Sequence, residues 1–400
     1  MPYVTFPLDE IALQEPVPVN VWDPAGKLLL RRGEVIHDEQ HRERIHMHLP
    51  MVDEAEFRAW TYRYTSTIDR MVRNNQRLDA IAGVTRPMGV DELVADAEAS
   101  AAEVWADLHG IWSTVLYQGA QATDLMGRLN AVEQRMDAVL RQRVDDSLFV
   151  LVQMLHDRTL GYNATHALLC ALLCRLVAES LEWPSDDRLA LQRAALTMNI
   201  GIARLHDALS KQAAPLTEAQ RRDVDAHPTA SAAALAGLGV RDRLWLLGVK
   251  EHHRPGREGR APDLQGPAAL VTLLHLADVY VARMGPRTGR PGLPAARAAR
   301  DVYLGADGQP HPLGAAFVKT LGAHVPGSYV KLVSGEVAVV VRRGRRANTP
   351  MVLSVIGRQG MPLGEPALRD TSEAAHAIKA GVAADEVKVR LPVARVLARL

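Results

Sequence analysis

The sequence predicts a mainly α protein: a helical bundle with a small N-terminal β-hairpin module and a small C-terminal β extension. Three observations lead there. The middle of the chain repeats apolar residues at helical spacing and is poor in Gly and Pro. Both ends instead alternate in short runs, the period of a half-buried strand. With 400 residues, 48% hydrophobic and 23% charged, the chain has an ordinary globular composition and is too long for one core.

The organisation reads in four parts: a β-rich module over 1–52, a helical or coiled linker over 53–145, a helical domain over 146–325 and a β-rich extension over 326–400. In the first, Val17, Val19 and Val21 alternate with Pro18, Asn20 and Trp22. The run 23–26 (Asp-Pro-Ala-Gly) is a turn, the chain returns through 27–33, and a short helix starts near Asp38. In the second, two stripes recur at helical spacing: Leu93, Ala97, Ala101 and Val104, then Leu125, Leu129, Val132, Met136, Val139 and Leu140. Such stripes serve as core or helix-pairing faces, or as a short coiled coil for a partner.

In the third part the spacing predicts helices over 149–159, 162–181, 186–199, 217–227, 229–236, 241–253 and 267–284. In the fourth, 327–356 alternates and is rich in Val, with turn signals at Ser334-Gly335 and 342–350 and a last strand expected at 386–392.

Composition narrows the function. The net charge of +1 gives no global field for nucleic acid or membrane. Aromatic residues at 4% leave no basic-aromatic face for single strands. No Gly-rich phosphate loop ending in Lys-Ser/Thr and no Gly-x-Ser-x-Gly elbow occurs. The N-terminus lacks the charge-then-apolar pattern of a signal peptide, and the longest apolar stretch, 167–178, is broken by Arg175, so no membrane span and a cytoplasmic location are expected. The two cysteines, Cys170 and Cys174, fit a reducing compartment and read as small buried hydrophobes rather than a ligand pair. The basic run 342–346 reads as a solvated hairpin tip, with an anion site as the alternative.

The chemistry-bearing pattern is a set of histidines and one acid on successive helices: His166, His227, His252, His253 and Asp278. Bundle cores are where helices project convergent ligands. Imidazole with carboxylate suits one divalent metal, Mn, Fe or Zn. A hydrogen-bonded polar core without metal uses the same residue types, and both readings stand at this point.

These segments resemble the HD-GYP family, HD-superfamily phosphodiesterases that cleave cyclic-di-GMP, over roughly residues 146–345. The resemblance rests on "YNATHALL" around His166, "RAALTMNIG" (193–201), "PLTEAQRRDVDAHP" ending at His227-Pro228, "VKEHH" ending at His252-His253, and "HLADVYVARMGPRTGR" with Asp278. It implies an HD-type helical bundle, a metal centre at the five residues named above, and phosphate-binding roles for Arg287 and Arg290. It also implies cyclic-di-GMP or a related nucleotide as ligand, and a bacterial signalling setting with a protein partner or a homodimer.

The departures matter as much. The family's metal-bridging His-Asp dyad falls on Met198 and Asn199, its following Lys on Ile202, and its GYP motif on Arg260-Ala261-Pro262. A thioether is a poor substitute for imidazole on Fe or Mn, and an amide keeps the shape of Asp without its charge. The expectation is a degenerate, catalytically impaired member, acting as nucleotide sensor or interaction module; an active phosphodiesterase using the remaining ligands is the alternative. Three literal His-Asp pairs occur elsewhere. His37-Asp38 and His156-Asp157 read as solvated helix ends. His206-Asp207 lies eight residues past the dyad position, about 12 Å along the axis if the helix continued, so it reads as outside the site.

Overall fold

The computed structural model describes residues 3–23, 27–54, 56–57, 60–61, 100–254, 264–304, 308–389 and 391–400. It is mainly α with two small antiparallel sheets, as the sequence predicts. The chain divides into two compact units: 1–99 with 106–114 and 126–135, and 100–105 with 115–125 and 136–400. The turn at 24–26, the stripe residues Leu93 and Ala97, and the positions Arg260-Ala261-Pro262 lie outside the described residues.

In the first unit, strands β2 (Val21–Trp22) and β3 (Leu28–Leu30) pair antiparallel, the expected hairpin in shortened form. Two strands the period did not reveal complete the sheet: β1 (Tyr3–Thr5) and β4 (Met51–Asp53), in the order β1-β4-β2-β3. Phe6, Leu8, Val17, Val21, Ile36, Val52 and Trp60 form its core. Helix α1 (Glu39–His46) starts where Asp38 accepts the His41 N–H at 2.7 Å, so Asp38 is an N-cap.

Helices α2 (Ala101–Gln118) and α3 (Leu125–Leu140) follow. Ser100 and Glu103 form a reciprocal capping box at the start of α2. All six stripe residues of α3 are buried, which makes that stripe core.

The second unit is built around α5 (Tyr162–Ser180), buried on nearly every face. Packed on it are α4 (Val144–His156), α6 (Ser185–Thr197), α7 (Ala203–Lys211), α10 (Pro267–Met284) and α12 (Pro312–Leu321). Helix α9 (Arg243–Glu251) approaches α6 and α10 through Gly248, where a Cβ would sit 2.8 Å from Leu270 Cδ2 and 3.0 Å from Ala194 Cβ. Trp245 Nε1 donates to Thr197 Oγ1 at 2.8 Å across the same contact. Helices α7, α11 (Ala295–Tyr303) and α12 are additions to the sequence reading. Helix α8 (Glu218–Gly237) is one helix where two were expected, and Pro228 lies inside it. By length and composition α10 alone among the described helices could cross a membrane, but half of it is buried within the protein.

The C-terminal sheet has the order β8-β7-β6-β5-β9: β5 (Tyr329–Leu332), β6 (Val337–Arg342), β7 (Met351–Ile356), β8 (Pro362–Asp370) and β9 (Ile378–Val382). The last strand is β9, not 386–392, because Ile378–Val382 already occupies the free edge of β5. A short helix, α13 (Val393–Leu397), ends the chain. The basic run is not a solvated tip at its start: Arg342 pairs with Asp146, and Arg343 Nε meets Asp145 Oδ1 at 2.6 Å. Both acids open α4, so sheet and bundle are tied by charge. Gly327 lets the chain pass close to α4; a Cβ there would lie 2.7 Å from Val152 Cβ and 2.8 Å from the Phe149 carbonyl, and its φ of +90 is one at which L side chains are strained.

Gly327→Ala should therefore lower stability by about 2 kcal/mol or more, read as a lower urea midpoint. A second expectation concerns pH. Burial pushes His156 and His324 down from 6.5 to about 4, with Asp385 partly opposing this at His156. The unfolded chain then takes up protons first as pH falls. Their contribution is complete above pH about 6.5 and is lost towards about 4, by up to ~1.4 kcal/mol per pH unit each. Urea midpoints should fall across that window, and His324→Phe should flatten part of the fall.

Candidate metal centre

The centre is assembled from four helices and the turn that ends one of them. His166 lies on α5, His227 on α8, His252 and His253 just past the end of α9, and Asp278 on α10. Ligand atoms of His227, His252 and His253 all lie within 4.8 Å of one another. Asp278 joins the other two: its Oδ1 is 3.2 Å from His166 Nε2 and its Oδ2 is 3.9 Å from His253 Nε2. The fold thus brings all five sequence candidates into one continuous network.

The proton positions follow from the partners. His227 Nδ1 lies 2.6 Å from the Val224 carbonyl, and His252 Nδ1 lies 2.7 Å from the Val249 carbonyl. A carbonyl can only accept, so both Nδ1 atoms carry the hydrogen. In neutral rings both Nε2 atoms then expose lone pairs, and these atoms lie 3.2 Å apart. Burial keeps the rings neutral, holding His227 near about 4 and His252 near about 3. Two lone pairs at that distance repel unless a positive centre lies between them, and His253 stands beside both, with ring centroids 4.7 and 4.3 Å away. The donor set fits a divalent cation.

Pro228 explains how His227 finds its acceptor. In a helix the Val224 carbonyl would take the N–H of residue 228, which proline lacks. That carbonyl is left for the His227 Nδ1–H. The His-Pro pair therefore fixes the ring tautomer instead of ending the helix.

Asp278 is the negative member. Burial raises its pKa, but the neighbouring imidazoles, His166 foremost through its hydrogen bond, outweigh this and hold it well below the usual carboxylate range. The Cys170 thiol lies 3.8 Å from His166 Nδ1, while Cys174 points at the Leu273 carbonyl at 4.0 Å; both are fully buried. Arg287 is close to the network: its Nη2 donates to the Tyr162 hydroxyl at 3.0 Å, its guanidinium lies 4.9 Å from that ring's centroid, and Tyr162 stacks near His166 at 5.3 Å. Arg290 turns elsewhere, donating to the carbonyls of Ala282 and Gly285 at the end of α10.

The dyad positions are buried: Met198 is the C-cap of α6 and Asn199 lies in the turn after it. The Asn199 Nδ2 has no hydrogen-bond partner among the described residues. An unsatisfied buried amide donor costs about 1–3 kcal/mol.

Sequence reasoning missed His206. It assumed a continuing helix. Instead α6 stops at Thr197, and two tight turns follow, Ile200 N–H to the Thr197 carbonyl and Ile202 N–H to the Asn199 carbonyl, each at 3.0 Å. Gly201 then rests on α8, donating to Ser231 Oγ at 3.0 Å where a Cβ would be equally close. The fresh helix α7 returns His206 to the network, with its ring centroid 5.5 Å from that of His227. The available signal was the Asn199–Gly201 pair, a helix-breaking combination. Asp207 does not join the network; its Oδ1 accepts the Asn163 N–H at 2.7 Å and its Oδ2 the Tyr117 hydroxyl.

Restoring the missing N–H tests the role of Pro228. Pro228→Ala should leave the helix intact or more stable, yet weaken Mn²⁺ or Co²⁺ affinity about tenfold, because the new amide competes for the Val224 carbonyl. Calorimetric titration of the chelator-stripped chain reads the change; equal affinities would show that the carbonyl does not orient His227.

Compared with known proteins, the sequence matches no family model and no curated protein. Among solved structures it is similar to the chain described as "Bd1817, a HDG"Y"P protein from Bdellovibrio bacteriovorus", with 14% identity, a TM-score of 0.42, and coverage of 79% of this chain and 97% of that one.

Proposed function

We propose that this chain is an HD-GYP-like signalling protein that holds a divalent cation and binds cyclic-di-GMP or a related nucleotide without hydrolysing it efficiently. The observation that carries the reading is the pairing of the oriented His227 and His252, with His253 beside them, with a dyad position occupied by Met198 and Asn199. The three imidazoles would hold the ion, and Asp278 with His166 would stand beside it. A bound ion supplies positive charge that draws phosphate oxygens.

The residues of the chain set what such a ligand meets. Arg287, seated on Tyr162, places a second positive charge near the network and suits a phosphodiester oxygen. Arg290 is engaged at the end of α10, so phosphate binding falls mainly to Arg287. Asn199 cannot accept a proton from water, and it adds no negative charge to balance a second cation. That favours binding over turnover. A cytoplasmic setting, with a protein partner or a second copy of the chain receiving the signal, belongs to the same proposal.

Purified protein loaded with Mn²⁺ or Fe²⁺ should form no product from cyclic-di-GMP above a buffer control, with products separated by chromatography. Equilibrium dialysis should still show nucleotide retained, and Arg287→Ala should weaken it about tenfold or more. Met198→His together with Asn199→Asp should raise hydrolysis. Metal-dependent turnover by the unaltered chain would replace this reading with an active phosphodiesterase, and absence of nucleotide binding would favour a pure interaction module.

A further inference from the structure

We propose that His206 is a metal-site residue, supplying from α7 the imidazole that Met198 cannot. The inference rests on the metal-binding reading of the His227-His252-His253 group and adds a residue to it.

Geometry is the first support. Two imidazoles sharing one ion, each nitrogen about 2.1 Å from it, have ring centroids roughly 5 Å apart. The ring centroids of His227 and His252 are 5.1 Å apart, and those of His206 and His227 are 5.5 Å apart. His206 thus stands at a co-ligand's ring spacing from His227, next to the tighter group formed by the His227, His252 and His253 nitrogens.

The second support is how the ring is held. His206 Nδ1 lies 3.3 Å from the Asn163 Oδ1. The next residue, Asp207, accepts the backbone N–H of the same Asn163 at 2.7 Å. Consecutive residues of α7 thus clasp one fully buried residue at the start of α5, three positions before His166. With the amide oxygen accepting from Nδ1, the Nε2 of His206 keeps its lone pair, the same arrangement that the carbonyls impose on His227 and His252. A histidine placed only for packing needs neither the second anchor nor that tautomer.

The test uses the full chain, stripped with chelator, and Co²⁺ as the probe, with affinity from calorimetry and geometry from the visible absorption of the bound ion. Two variants of the same shape separate ligation from packing: His206→Gln, a poor ligand, and His206→Glu, a good one. Thermal melts in chelator establish that both fold. The expected result is Co²⁺ affinity weakened about tenfold or more in the Gln variant, with an altered absorption spectrum, and affinity within about threefold of the original in the Glu variant. Unchanged affinity and spectrum in the Gln variant would overturn this inference and leave the metal centre standing. Equal weakening in both would assign His206 to packing and overturn it too. No Co²⁺ binding by the unaltered chain would overturn the inference together with the metal-binding reading.

Discussion

Imidazoles buried among apolar helices must have every ring hydrogen accounted for, and that constraint organises this protein. Each ring has one donor and one acceptor when neutral, so its partner on one nitrogen decides what the other can do. Here backbone carbonyls at the ends or breaks of the hydrogen-bond ladder take the donors of His227 and His252. A third such contact, His275 Nδ1 at 2.7 Å from the His252 carbonyl, pins the chain just past α9. The free nitrogens then converge because the helices that carry the rings converge on α5 and its neighbours. Packing sets the positions, and the carbonyl bonds set the chemistry.

Much of this was legible in the sequence, and the gaps have physical causes. Helical period marked the helix over 267–284 to the residue, because Pro267 fits its first turn and Gly285 follows its last. The five ligand candidates were legible as His and Asp residues on successive helices, in segments that resemble HD-GYP motifs. Pro228 was misread as a boundary; a helix can hold proline when the carbonyl it abandons finds another donor, which here is a side chain one residue away. His206 was missed because the turns at 198–202 reverse the chain by backbone hydrogen bonds that leave no apolar period. The strands β1 and β4, at two or three residues each, are too short for a period of two to register. Arg342 and Arg343 looked solvated because their acids lie almost two hundred residues earlier, at the start of α4.

Charge distinguishes the histidine group from the turn at Met198 and Asn199. A carboxylate between two cations serves as ligand, charge balance and proton acceptor together. The Asn199 amide offers none of the three, at nearly the same volume as an Asp. The histidine group loses nothing by this, since its orientation comes from its own helices. The supports of that group are backbone atoms: the carbonyls of Val224 and Val249.

The dyad position also has a particular place in the chain: it lies where α6 has already ended. The conformation at 198–202 is written in amide-to-carbonyl bonds and in the seat of Gly201 on α8, none of which uses the side chains of Met198 or Asn199. Chemistry and architecture are therefore inherited separately at this spot. A change of side chain at 198 or 199 can alter the chemistry offered at the end of α6 while the turn that carries it stays in place.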